Sequence, residues 1–157
     1  MTMSKTFDKI VLFIAQGAYS GRFPIAPGTA GTIVGVLLYL LLNDLSPLWY
    51  GAACVGVTVL GTWAAGYADC ILGTKDGSSI VIDEIAGFLA AMFLIPFAWG
   101  SVAAGFILFR FFDILKPWPL DRLQDVPGGP GVMLDDIGAA VYTNVILQIA
   151  WFFFGTG

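Results

Sequence analysis

Between Gly28 and Phe154 the chain is a succession of apolar runs, and five carboxylates stand hard against that hydrocarbon instead of in the loops. They are Asp83 and Glu84 in IVIDE, Asp113 in FRFFDILKPWP, and Asp135 and Asp136 in MLDDIGAA, with Arg110 and Lys116 in the second of these segments. A carboxylate beside hydrocarbon is costly unless something pairs with it. Five in such positions suggest a shared partner. A divalent cation, together with a phosphate held by the two basic residues, satisfies them all, so the leading expectation is a catalytic site within or at the face of a membrane.

Composition supports the membrane. Of the 157 residues, 58% are hydrophobic and 11% charged, with mean hydropathy +0.86, where a soluble domain has about 25% charged and about 45–50% apolar residues. Such a chain cannot cover itself with a polar surface, and the expected fold is an all-α, multi-pass helical membrane protein forming a single domain over residues 1–157. The net charge of −4 offers no basic face to nucleic acid. The absence of histidine removes histidine phosphatases, histidine-ligated zinc and Ser-His-Asp hydrolysis. Cys54 and Cys70 form neither a disulfide framework nor a metal knuckle. Cys70 also lacks the arginine that a cysteine phosphatase loop carries six residues on, where Asp76 stands instead.

Hydrophobic spacing predicts an amphipathic surface helix over Lys5–Ala18, with Phe7, Ile10, Val11 and Ile14 on one side; a signal peptide is the alternative. About five membrane segments follow: Gly28–Leu42, Leu48–Ala68, Ile80–Trp99, Ser101–Leu115 and Val132–Phe154. Polar loops are expected at Asn43–Pro47, Asp69–Ser79 and Asp121–Gly131. Asp69, Asp76, Asp121 and Asp125 read as solvated loop or helix-end residues. Pro117 and Pro119 stop the fourth segment, because a residue before proline is pushed out of the α region.

Lys and Arg are distributed asymmetrically. Lys5, Lys9, Arg22, Lys75, Lys116 and Arg122 lie on alternate connections, and Asn43–Pro47, Trp99–Ser101 and the C-terminal tail carry none. The positive-inside rule places the N-terminus and the two longer loops in the cytoplasm. Every unusual polar group then falls on the cytoplasmic side, at similar depth.

Each motif has a plainer alternative. Pro27-Gly28-Thr29-Ala30-Gly31-Thr32 opens a helix whose N–H groups and hydroxyls suit an anion; it also reads as a proline-led helix start with small-residue packing behind it. Asp83 and Glu84, roughly 100° apart on a helix, suit one ion approached from two directions, or else they complement a helix dipole. Arg110, Asp113 and Lys116, at i, i+3 and i+6, suit phosphate binding or simple local pairing. Asp135 and Asp136 offer hard oxygen ligands of the kind Mg²⁺ prefers, or again dipole stabilisation.

Taken together, PIAPGTAGT, DGSSIVIDEIAG, FILFRFFDILKPWPLDRL and GGPGVMLDDIGAAV resemble the phosphatidylglycerophosphatase A family, in its order and spacing, from Pro24 to Val141. The resemblance implies an integral, all-helical, Mg²⁺-dependent phosphatase of the bacterial cytoplasmic membrane. It further implies that the lipid phosphatidylglycerophosphate is hydrolysed to phosphatidylglycerol and phosphate. On this reading Asp83, Glu84, Asp135 and Asp136 supply metal ligands, and Asp83, Glu84, Asp113 and Asp136 supply the catalytic carboxylates. Gly28, Thr29, Gly31, Thr32, Arg110 and Lys116 hold the phosphate. Water activated by a carboxylate and direct attack by Asp113 or Asp83 both remain open. The rival class is an ion-coupled carrier or lipid-binding module, which is expected to place charge near the midplane and on both sides.

Overall fold

A computed structural model describes residues 5–73, 77–123 and 129–155, and among these the chain is helical, with no strand. Seven α-helices follow one another: α1 (Lys5–Ala15), α2 (Pro27–Leu42), α3 (Pro47–Leu72), α4 (Ile82–Ala91), α5 (Trp99–Leu115), α6 (Leu120–Leu123) and α7 (Gly129–Phe154), with one 3₁₀ turn at Ser20–Arg22. Local chemistry sets several of the boundaries. Pro27 and Pro47 open α2 and α3, where a missing N–H costs nothing. Gly73 closes α3 in the left-handed conformation at φ 66°. Lys116 ends α5 at φ 44° immediately before Pro117.

Helix α4 is the centre of the structure. Eight of its ten residues are buried, so its surroundings are protein on nearly every side. Small residues bring its neighbours close. A Cβ on Gly35 of α2 would meet Phe88 Cβ at 3.2 Å, one on Gly61 of α3 would meet Ile82 Cγ1 at 2.9 Å, and one on Gly87 of α4 itself would meet the Phe109 ring of α5 at 2.6 Å. Phe88, Leu89, Phe109, Ala139 and Tyr39 form the core around it. The aromatic edges of Tyr39 and Phe88 meet at 90°.

Helices α4 and α7 run in the same direction. Asp83 and Asp136 converge at one end, and eight residues further along both helices Asn144 Nδ2 donates to the carbonyls of Ala91 and Phe93 at 2.9 and 2.8 Å. Helix α3 runs the opposite way, with the Tyr50 hydroxyl donating to Leu89 O at 2.8 Å. All three bonds serve the far end of α4, where the helix stops and the chain turns through Met92–Leu94.

The third expected segment, Ile80–Trp99, is therefore corrected. It is helical only over Ile82–Ala91, about 15 Å. The break precedes Pro96 by several residues: Leu94 turns into the left-handed region at φ 59°, and Ile95, before proline, leaves the α region. Irregular buried backbone is tolerated where protein groups satisfy it, which is what Asn144 does. Among the described residues, only α3 and α7 are long and apolar enough to cross a membrane; at 26 residues each they reach about 39 Å. Helix α2, with 16 residues, and α5, with 17, fall short of that length.

Other boundaries shift as well. Helix α3 continues past Ala68 to Leu72, so Asp69 is buried on a helix, where it accepts the Gly77 N–H at 3.2 Å. The expected loop Asp121–Gly131 contains the end of α6 and the first turn of α7. Lys75, Asp76, Asp125, Pro127 and Gly128 lie outside the described residues. Helix α1 buries Val11 and Ala15 and leaves Ile10 and Phe13 exposed. It is tied to the rest by Tyr67 Oη, which donates to Asp8 at 3.1 Å, and by the Val81 N–H to the Ala15 carbonyl at 2.9 Å.

Candidate active site

The starts of α2 and α4, the early turns of α7 and the end of α5 meet around one cleft of about 360 Å³. Pro27 and Gly28 come from α2, Asp83 and Glu84 from α4, Arg110, Asp113 and Lys116 from the end of α5, and Asp135 and Asp136 from α7. Three charged segments separated by long stretches of sequence thus form one constellation. Because α2 and α4 both begin here, two positive helix ends face the cleft, a field that favours anions.

Its carboxylates divide into two groups. Asp83, Glu84 and Asp136 each present one oxygen such that all three lie within 4.8 Å of one another. Asp83 Oδ1, Glu84 Oε2 and Asp136 Oδ2, like Asp135 Oδ1, are buried with no hydrogen-bond partner among the described residues. Buried carboxylate oxygens left in this condition are costly, and three converging hard oxygens are the donor set a Mg²⁺-sized cation takes. The residues fit a divalent cation. The second group is already paired. Arg110 Nη1 binds Asp113 at 2.5 Å and lies 3.8 Å from Glu84 Oε1, and Lys116 bonds Asp135. Burial works against the Lys116 charge. The bond to Asp135 and the nearby Asp136 and Asp113 outweigh it, so the ammonium is held above the ordinary lysine value. Lys116 therefore remains charged where a phosphate would arrive. Lys116 pairs across to α7 through Asp135, so the i, i+3, i+6 series is not purely local.

The glycine-threonine motif enters the cleft in part. Gly28 sits where a Cβ would run into the Glu84 carboxylate and lie 3.0 Å from Arg110 Nη2; only glycine leaves room there. Gly31 instead faces α4, its missing Cβ 2.6 Å from Val81 Cβ. Thr32 is fully buried and donates its hydroxyl to the Gly28 carbonyl at 2.9 Å. The expectation that Gly31 and Thr32 contact phosphate is corrected in favour of helix packing, and Thr29 is half-buried on α2 and does not line the cleft.

Sequence reasoning missed several residues. Ala26, Gly77 and Ser78 line the cleft, and the small polar turn before IVIDE was the available signal. Gln16, 3% exposed, donates to Ser79 Oγ at 3.2 Å and accepts from Arg22 Nε at 2.8 Å. This bridge fixes the loop that carries Ser78 to the N-terminal helix. Asn144 gave no signal at all, because a lone amide in an apolar helix has no local pattern.

Carboxylates able to share a cation, set against two phosphate-seeking side chains in an all-α chain, define a helical phosphohydrolase. The same class emerges from comparison with known proteins. The family model for phosphatidylglycerophosphatase A matches residues 13–151, and the chain belongs to that family. It is 37% identical over 158 residues to the phosphatidylglycerophosphatase A of Haemophilus influenzae, covering 94% of this chain and 95% of the relative. It is 36% identical over 136 residues to that of Escherichia coli, covering 85% and 79%. A Bacteroides thetaiotaomicron protein with the provisional name phosphatidylinositol-3-phosphatase is 38% identical over 148 residues, covering 88% and 92%. No solved structure matches.

Proposed function

We propose that this phosphatase removes the terminal phosphate of phosphatidylglycerophosphate, with Mg²⁺ as cofactor, from a site on the cytoplasmic face of a bacterial inner membrane. The observation that carries the proposal is the convergence of Asp83, Glu84 and Asp136 on one point in the cleft that also holds Arg110 and Lys116. Family membership supplies the substrate class. An outward surface of large exposed apolar side chains, among them Leu41, Val59, Ile107, Phe152 and Phe154, supports a lipid setting for more of the chain than α3 and α7 alone. With the charge asymmetry of the loops, it favours several passes through the membrane.

Asp83, Glu84 and Asp136 would hold the cation, with Asp135 beside them. When bound, it supplies Lewis-acid polarisation and a more acidic water. The remaining work falls to the chain. Arg110 and Lys116 bind the phosphomonoester oxygens, trading part of their hold on Asp113 and Asp135 for the incoming charge. The Gly28 backbone at the head of α2 adds N–H donors. A carboxylate of the cleft takes the proton of the attacking water, or Asp113 or Asp83 attacks phosphorus directly and is released by water in a second step. Both routes break the bond between phosphorus and the glycerol oxygen, and ¹⁸O incorporation into the enzyme carboxylate separates them.

Phosphate release from phosphatidylglycerophosphate in detergent, with Mg²⁺ and with EDTA, tests the proposal. Release that depends on Mg²⁺ is expected; none with Mg²⁺ present would falsify it. The Bacteroides relative favours a second substrate, phosphatidylinositol 3-phosphate. The two readings are separated by running both lipids in one assay and comparing kcat/KM.

A further inference from the structure

Two apolar grooves flank α2. One, of about 350 Å³, lies among α1, α2 and α3 above Ile82 and Ile85. The other, of about 360 Å³, lies between α2 and α5 and is lined by Ile33, Val36, Val102, Ala103, Phe106 and Ile107. Their relation to the cleft differs. Gly31 and Gly35 shut the α2–α4 seam, with Val81 and Phe88 pressed against them, and this walls the first groove off from the carboxylates. The second groove begins about one turn beyond the point where Gly28 meets Arg110, and its two walls are the helices that carry those residues.

We propose that the α2–α5 groove seats one acyl chain of the lipid phosphomonoester whose phosphate the cleft binds. The inference rests on the lipid-phosphatase reading above and assigns where the substrate's tail runs. A phosphate on Arg110 leaves the glycerol and its esters on the way down the adjacent seam. There Phe106 and Ile107 lie one turn back along α5, and Ile33 lies just over one turn along α2. The groove carries no charged side chain. Its floor includes Val102, 5% exposed, while Ile33 and Ile107 at the lips are 50% and 64% exposed, so a chain can enter sideways from the bilayer. From Ile107 to Trp99 the wall runs about 12 Å along the helix axis, and the exposed Trp99 closes the far end. A tail leaving lipid for this groove gains little hydrophobic transfer energy, because both surroundings are apolar. What it gains is close packing against the two helices, made equally in the ground state and the transition state.

Ala103→Trp tests this assignment, since Ala103 is exposed at the groove wall and a larger side chain there burdens no core packing. With long-chain diacyl phosphatidylglycerophosphate in mixed micelles, KM should rise about tenfold with kcat preserved, the signature of lost uniform binding. With a dibutanoyl analogue, too short to reach Ala103, KM should stay unchanged. Val59→Trp on the exposed face of α3 should change neither. An unaltered long-chain KM in Ala103→Trp, an equal rise with the dibutanoyl substrate, or an equal rise in Val59→Trp would each overturn the groove assignment and leave the phosphatase standing. A wild-type protein that releases phosphate from neither lipid overturns the phosphatase reading and the groove with it.

Discussion

Replacing Gly28 by alanine adds one methyl group where α2, α4 and α5 meet. The new Cβ would lie 3.0 Å from Arg110 Nη2 and 3.1 Å from Nη1, and closer still to Glu84 Oε1. Ordinary contact needs about 3.5–4.0 Å, so the Glu84 carboxylate must withdraw by about 1 Å or more and the guanidinium by somewhat less. Both groups are the ends of flexible side chains, and the fold absorbs the change easily. Alanine also favours a helix over glycine by up to about 1 kcal/mol, less in a first turn, so stability should hold or improve slightly. Activity should move the other way. A displacement of about 1 Å in a positioned catalytic group costs on the order of 100-fold, and here one cation ligand and one phosphate-binding group move together. The assay pairs phosphate release from phosphatidylglycerophosphate with a thermal melt in the same detergent. A variant with wild-type turnover would show that the close approach of Gly28 to Glu84 and Arg110 has no catalytic meaning. A variant that fails to fold would show that the contact is structural.

Further expectations follow from the same geometry. Glu84→Gln and Asp136→Asn each remove one of the three converging oxygens and should abolish turnover while the protein still inserts and melts cooperatively; full activity in either removes that residue from the site. Asn144→Leu strips the partner from the Ala91 and Phe93 carbonyls and should cost about 1–3 kcal/mol for the groups left unsatisfied, read as a lowered midpoint of thermal unfolding. An unchanged midpoint would mean those carbonyls find other partners. Lys116→Met deprives both Asp135 and the substrate phosphate of a cation, and should lower kcat/KM by more than tenfold, with partial recovery in Lys116→Arg because the charge returns.

How much could be read in advance depended on whether a residue's role leaves a local mark. Asp83, Glu84, Arg110, Asp113, Lys116, Asp135 and Asp136 announced themselves because charge against hydrocarbon is costly wherever it stands, and all seven line one cleft. Thr32 misled because a hydroxyl at a helix start looks the same whether it faces a ligand or bonds the carbonyl four residues back. The length of α4 was illegible for a different reason. Ala91-Met92-Phe93-Leu94 is apolar and compatible with a continuing helix, and Pro96 suggested a stop further on. The chain breaks sooner because Asn144, more than fifty residues away, takes over its free carbonyls. A partner supplied from another helix leaves no trace in the segment it serves.

The brevity of α4 has a consequence for how this protein comes to exist. A helix of about 15 Å that carries Asp83 and Glu84 in its first turn has too little hydrocarbon and too much charge to partition into a bilayer alone. What surrounds it in the finished structure is α2, α3, α5 and α7. In the membrane placement proposed above, those helices must form its environment before it can settle, and α7, which carries Asp135, Asp136 and Asn144, is synthesised after the other three. The active site and the support of its central helix are thus completed by the same segment. A chain cut short before α7 would lack two carboxylates and would also lose the setting in which Asp83 and Glu84 can be buried.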